Sequence, residues 1–293
     1  MLFRSKYHML LSYFPDQISL AGRPIMDKFI RAVSSTDTVV KNSMTADCAI
    51  IWSVLWQGRM LANKKVYETY TAAKKPIVIL ETGNLIRGKT YKVCLKNINR
   101  QGIHAYNQLD RLHKFSNITA PITTGDDILI CCQQQFSLLW NNQPRVEQWV
   151  HQIVTSLRKQ TDRPIVIRPH PRQQLVDLQN VSAKFKNVCV KPPIRNFSSD
   201  TTDFLNVLNS AYCVVGYNAG SVIEAAVRSV PICADQSSLC HDVSNSLYKI
   251  NEIKPLTTND WLKFIVQTEW FEDEIAAGTA WTILRSSILR GEY

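Results

Sequence analysis

From residue 127 onward the chain alternates short, unbroken apolar runs with segments of helical spacing, and few folds accept that pattern. Residues 127–132 (DILICC), 164–168 (PIVIR), 188–191, 213–217 (CVVGY) and 231–234 (PICA) read as strands. Between them, 145–159 repeats apolar residues at Val146, Trp149, Val150, Ile153 and Leu157, and 203–211 does so at Phe204, Val207 and Leu208. Residues 221–228 make a further helix. A strand that is apolar on both sides is buried on both faces, and an intervening helix returns the chain to the same edge. The pattern predicts a parallel sheet covered by helices.

The first half alternates less cleanly. Strands are expected at 9–14, 38–41, 48–54 and 76–80, and helices at 25–33 and 62–73. The polar stretch 116–126 (SNITAPITTGD), with Pro121 and Gly125, reads as a linker. The end, 259–293, reads as two helices with apolar faces from Trp261, Phe264, Ile265, Trp281, Leu284 and Ile288. A chain of 293 residues is long enough for two cores. The expected organisation is an α/β domain over 1–120, a second over 121–260, and C-terminal helices over 261–293. Two such domains create a cleft between the carboxyl ends of their sheets, where ligands bind.

The N-terminus, MLFRSKYHMLLSYFPDQ, lacks the uninterrupted apolar core of a signal peptide, and the longest apolar run, 46–61, is broken by Ser53, Gln57 and Arg59. A soluble, intracellular protein with no membrane partner is expected. Its eight cysteines form no C-x-x-C pair and are expected as small buried hydrophobes, not as disulfides or zinc ligands.

Charge is uneven. The net charge is +10, and residues 57–115 hold twelve Lys/Arg against Glu68, Glu81 and Asp110, so that 12 − 3 = +9 lies in this one stretch. Tyr67, Tyr70, Tyr91 and Tyr106 are interspersed. A concentrated basic, tyrosine-bearing surface suits a polyanion such as nucleic acid, although a solvated basic face needs no partner.

Three motifs fall at expected strand ends of the second half. In CVVGYNAGSVIE, Asn218 and Gly220 permit a tight turn, and the helix amides from Ser221 onward offer a phosphate site, with Glu224 one turn in beside a ribose hydroxyl. Ser221-Val-Ile-Glu224 also reads as a capping box that needs no ligand. In IVIRPHPR, Arg168, His170 and Arg172 follow a strand, held extended by two prolines, and can bind phosphate. Asp235 and Gln236 close the last strand, where a carboxylate and an amide suit sugar hydroxyls.

Asn-Ala-Gly-Ser, Glu224, Pro231 and the Asp235-Gln236 pair together resemble the donor half of GT-B glycosyltransferases. The resemblance implies two Rossmann-like domains facing across a cleft, with C-terminal helices packing back toward the first. It implies a nucleotide sugar held by the later domain, with Glu224 on the ribose and Asp235 and Gln236 on the sugar. RPHPR resembles the His-Pro segment of capsule and sialic-acid type transferases, which faces the donor phosphates. More of the chain is similar to glycosyltransferases of marine and tailed bacteriophages, through WSVLWQGRMLANKKVYETY, KKPIVILETGNLIRGKTYKV, TDRPIVIRPHPR and DQSSL. Relatives of that sort modify 5-hydroxymethylated pyrimidines in DNA. Where a cleaner glycine-rich loop would be expected this chain has Val-Val-Gly-Tyr-Asn-Ala-Gly, which leaves the donor open.

An acceptor hydroxyl must lose a proton as it attacks. Glu81, closing the strand 76–80, is the first candidate for the base, with Asp47, Asp110 and His104 as rivals; pairing of Glu81 with Arg87 or Lys89 is the plain alternative. Arg59, Lys64, Arg87, Lys89, Lys92 and Arg100 are expected to meet DNA phosphates. No D-x-D motif follows a strand, and Glu272-Asp273-Glu274 reads as a solvated helix face, so neither metal nor cofactor is expected. The expectation is a monomeric, metal-independent glycosyltransferase in the cytoplasm of an infected bacterial host. It would move a sugar from a donor such as UDP-glucose to hydroxymethylated pyrimidine in duplex DNA. The alternatives are a transferase for a cell-surface polysaccharide or lipid-linked glycan, and a non-catalytic DNA-binding protein.

Overall fold

The computed structural model describes residues 8–106, 111–118, 125–171, 176–194 and 203–293. The chain forms two compact units, 1–110 with 266–293, and 111–265.

The first unit opens with strand β1 (Leu10–Tyr13), helix α1 (Arg23–Val33), β2 (Thr38–Lys41), β3 (Cys48–Trp52), α2 (Asn63–Ala72) and β4 (Ile77–Thr82). These four strands are parallel, in the order β2-β1-β3-β4. All five residues of β3 (CAIIW) are buried, and α1 buries Ile25, Met26, Phe29 and Val33, a stripe of helical period. Two further strands escaped the sequence pattern. β5 (Thr90–Leu95) runs antiparallel to β4, and β6 (Ile103–His104) antiparallel to β5. All of TYKVCL is buried, but its lysine interrupts what would otherwise read as an apolar run.

The second unit is built on β7 (Asp127–Cys131), α3 (Val146–Arg158), β8 (Ile165–Arg168), α4 (Val176–Ser182), β9 (Val188–Val190), α5 (Phe204–Leu208), β10 (Ala211–Gly216), α6 (Gly220–Ala226), β11 (Ile232–Ala234) and α7 (Asn259–Ile265). Its five strands are all parallel, in the order β11-β10-β7-β8-β9. Ile128, Ile130, Ile165, Ile167, Cys213 and Val215 pack with Val146, Val150, Val154 and Leu157 of α3. Burying one such side chain contributes roughly 1.5–3 kcal/mol.

The chain then returns to the first unit. β12 (Trp270–Phe271) pairs with β5, and α8 (Glu272–Ala276) and α9 (Thr279–Leu289) pack on α1. The Trp281 indole donates to Thr36 Oγ1 at 3.0 Å and packs edge-on against Phe29. Arg285 grips buried Asp37 through two hydrogen bonds of 2.7 and 3.1 Å. Burial raises the Asp37 carboxyl, but Arg285, the Met9 amide and Thr36 outweigh it and hold the group below its ordinary range. The acidic run 272–274 is structural: Glu272 pairs with Lys28, and Glu274 accepts from the Phe271 amide.

All eight cysteines are free thiols. Seven are buried as expected. Cys189 is exposed, a correction that follows from its place on β9, the edge strand of the second sheet.

Candidate functional site

At the carboxyl edge of the second sheet, β10 ends at Gly216 and α6 begins four residues later. The turn differs from its sequence reading. Neither Asn218 nor Gly220 has a positive φ; Ala219, in extended conformation, is the N-cap and Gly220 is already the first helical residue. The glycine that packing demands is Gly216, where a Cβ would stand 2.5 Å from Val222 Cγ2. Ser221 lies inside the helix, so Ser221 to Glu224 is not a capping box. Its hydroxyl lies beside the Cys131 thiol at the end of β7. Burial pushes that thiol up to about 11, while Ser221 and Arg168 pull it down and Glu224 pushes it up. Ser221, Arg168 and Glu224 therefore gather around one strand end. Glu224 is buried.

Arg168 is the last residue of β8 and pairs in register with Cys131. It is buried, and its guanidinium makes a forked ion pair with Asp203 at 2.7 and 3.3 Å. Arg168 holds the Asp203 carboxyl below its ordinary range, helped by the Ile194 amide. The sequence expected an open phosphate ligand; the structure gives Arg168 a carboxylate partner. His170 follows, partly exposed, and Arg172 lies outside the described residues. Beyond β11, Asp235 Oδ1 accepts from the Ser237 amide and hydroxyl at 2.9 and 2.6 Å, and Asn218 donates to the same hydroxyl at 2.7 Å. This network ties the β10 turn to the β11 turn. Gln236 is exposed. The sequence reading passed over Gln133, buried where the chain leaves β7. An amide just past an apolar strand was the signal available.

In the first unit, Glu81 lies near the carboxyl end of β4. Its carboxylate accepts from Ser53 Oγ at 2.7 Å, the Thr82 amide at 3.0 Å and the Val54 amide at 3.3 Å, and faces Lys92 across the strand pair. Burial raises its carboxyl above the ordinary value; these bonds and Lys92 reduce the rise without cancelling it. Ser53 holds a left-handed φ of 69°, a backbone conformation that costs energy in a residue other than glycine. Among the rivals, Asp47 precedes β3, at the opposite edge, and accepts from the Leu10 amide. His104, its imidazole pushed down to about 4 by burial, bonds the Asn99 carbonyl at 2.9 Å beside the end of β5. Asp110 lies outside the described residues. Of the three described candidates, only Glu81 stands at the carboxyl edge. Glu269, which sequence reasoning missed, is fully buried and accepts from the Asn84 and Leu85 amides and from Thr90 Oγ1 at 2.7–3.0 Å, shaping the loop after Glu81.

The expected DNA contacts divide. Arg59 and Lys64 lie between β3 and α2 or at its start, and Arg87 and Lys89 between β4 and β5, all at the carboxyl edge of the parallel strands. Lys92 is corrected: it is buried in β5, where an ammonium cannot reach a phosphate backbone. Arg100 lies apart from these four. It follows β5, whose end lies beside the start of β4, so it sits at the opposite edge. Among the described residues, no group of three or more His, Cys, Asp or Glu is arranged to hold a metal ion. No helix among them is long and apolar enough to cross a membrane.

No protein-family model and no curated protein matches the chain. Two solved structures from Thermosulfurimonas dismutans resemble it in fold. The KpsC beta Kdo 2,4 transferase matches with a TM-score of 0.56 at 13% identity, over 89% of this chain and 90% of that one. The KpsC beta Kdo 2,7 transferase matches with a TM-score of 0.52 at 13% identity, over 96% and 99%. The fold is GT-B-like. Both units have the Rossmann-like α/β arrangement that the resemblance implied, and the last helices pack on the first unit.

Proposed function

We propose that the protein is a glycosyltransferase that takes a sugar from a nucleotide-sugar donor. One observation carries this reading. Arg168, Ser221 and Glu224 gather at the carboxyl edge of a five-stranded parallel sheet, with His170 and Asp235 at neighbouring strand ends, in a fold shared with two Kdo transferases. Carboxyl edges of open parallel sheets are where α/β proteins bind nucleotides. In this reading Arg168, His170 and Arg172 meet the diphosphate. Glu224 meets the ribose, Asp235 and Gln236 the sugar, and Glu81 takes the acceptor's proton.

The acceptor we propose is a 5-hydroxymethylated pyrimidine in duplex DNA. The support is the resemblance to phage transferases and the four cations at one edge of the first unit. The base would have to leave the stack to react. The test is incubation with hydroxymethylcytosine DNA and a panel of nucleotide sugars, followed by digestion to nucleosides and mass spectrometry. A nucleoside heavier by one glycosyl unit, formed equally in EDTA, is expected. Donor turnover with unmodified nucleosides would overturn the DNA acceptor; no turnover with DNA, glycan or water would overturn the transferase. Activity lost in EDTA and restored by Mg²⁺ would overturn metal independence.

A further inference from the structure

Gln133 is a buried polar residue for which the proposed roles have no use. It is 7% exposed, and its Oε1 has no hydrogen-bond partner among the described residues. Buried amide oxygens in folded proteins are normally satisfied, so this one asks for a donor that the described residues do not supply.

Its place in the fold narrows the donor. Cys131 pairs in register with Gly216 on one side and Arg168 on the other. Two residues past that level, on three adjacent strand exits, stand Gln133, Asn218 and His170. The segment that Gln133 opens is firmly held. The Cys132 amide bonds the Arg168 carbonyl, Gln135 accepts from the Val146 amide, and buried Trp140 packs edge-on against Tyr217 at 5.0 Å. Two side-chain donors of this sheet edge bond elsewhere: Asn218 to Ser237, and Arg168 to Asp203.

The chemistry narrows it further. An amide oxygen accepts, and so do the oxygens of an ionised phosphate, so the two repel rather than bond. A hydroxyl both donates and accepts, and matches an amide that carries a carbonyl and an NH₂. We propose that Gln133 is a specificity-determining residue for the transferred sugar, its buried Oε1 accepting a hydrogen bond from a hydroxyl of the glycosyl unit. This rests on the nucleotide-sugar reading above.

The test is calorimetric titration of full-length protein with UDP-glucose, GDP-mannose and CMP-N-acetylneuraminic acid, each beside UDP, GDP or CMP alone. The wild type should bind one sugar nucleotide more tightly than its parent nucleotide. Q133L should cut that excess about tenfold, the usual cost of one lost hydrogen bond to a buried group, and leave the parent nucleotide unchanged. Q133E, which keeps an acceptor, should retain most of the excess. Because Q133L removes an unpartnered buried carbonyl, its melting temperature should hold or rise; Q133M, of similar volume, is the second variant should Q133L fail to fold. Equal weakening of nucleotide and sugar nucleotide would place Gln133 on the base or the ribose and overturn the proposal. So would an unchanged excess. If the wild type prefers no sugar nucleotide over its parent, the donor reading itself falls.

Discussion

Gly216 offers a direct test of how the second unit builds its edge. A methyl added there would lie 2.5 Å from Val222 Cγ2, where carbon atoms in good contact stand about 3.5–4.0 Å apart. Both neighbours are fixed. Gly216 is hydrogen-bonded between β7 and β11, and Val222 is a buried, β-branched helical residue with one strongly preferred rotamer. G216A should therefore push α6 away and destabilise the protein by about 1–3 kcal/mol through overpacking. V222A alone removes two buried methyl groups and should cost about 2 kcal/mol. The double variant fits the new methyl into the space vacated, so the two losses should not add; a favourable coupling of about 1–2 kcal/mol is expected. Urea denaturation of the four proteins, followed by tryptophan fluorescence, measures the cycle. Because α6 carries Ser221 and Glu224, UDP affinity should fall in G216A and recover in the double variant. Additive losses, or a G216A protein as stable as wild type, would refute the argument that Gly216 exists to admit this helix.

Four further outcomes are expected. E81Q should lower transfer by about 10²–10⁴-fold with donor binding intact. Since burial raises the Glu81 carboxyl, the basic form is lost as pH falls through a value above the ordinary 4.5, and the pH–rate profile should lose its acid limb in E81Q. D37N, which leaves Arg285 without its buried partner, should cost about 3–5 kcal/mol in urea denaturation. The depressed Asp37 carboxyl stabilises above the ordinary carboxylate range, and that stability goes as pH falls through the depressed value, so D37N should flatten the acid end of the stability curve. D203N should tighten UDP binding about tenfold if phosphate competes with that carboxylate for Arg168; unchanged calorimetric affinity would make the pair purely structural. Last, R59A and K89A should each lower DNA affinity and reduce the salt slope by about one, while R100A, at the opposite edge, should do neither.

The second sheet was legible because its strands are buried on both faces and therefore read as unbroken apolar runs. The first was legible only in its parallel part. β5 hides a lysine inside a buried strand, opposite Glu81 on the neighbouring strand, and no local pattern reports a partner eleven residues away. The same blindness affected the site. Strand ends could be located, and with them Arg168, Ser221 and Glu224, but whom each side chain meets could not. Asp203 lies 35 residues from Arg168, and Glu269 reaches the loop after Glu81 from 184 or 185 residues away. The glycine turn was misjudged for a related reason. Glycine was credited with a backbone conformation, whereas Gly216 is needed for a close approach between strand and helix, which depends on what packs there and not on the turn.

These partnerships change the expected electrostatics of the second unit's carboxyl edge. The sequence suggested an accumulation of positive charge awaiting a diphosphate. The described residues instead balance their charges: Arg168 against Asp203, and Arg228 with Glu224 close to it. A balanced pair is still useful to an anion. Arg168 is 5% exposed, so its rotamer freedom is already spent on folding, and a ligand that took over the guanidinium would not have to order it. What the ligand must overcome is the displaced carboxylate, whose exposure of 18% lets it turn to water at modest cost. Binding by exchange also discriminates. A singly charged oxyanion gains little by replacing one carboxylate with another, whereas a diphosphate brings more charge than it displaces. In the proposed donor reading, the ion pair would set a threshold that favours nucleoside diphosphates over simple anions.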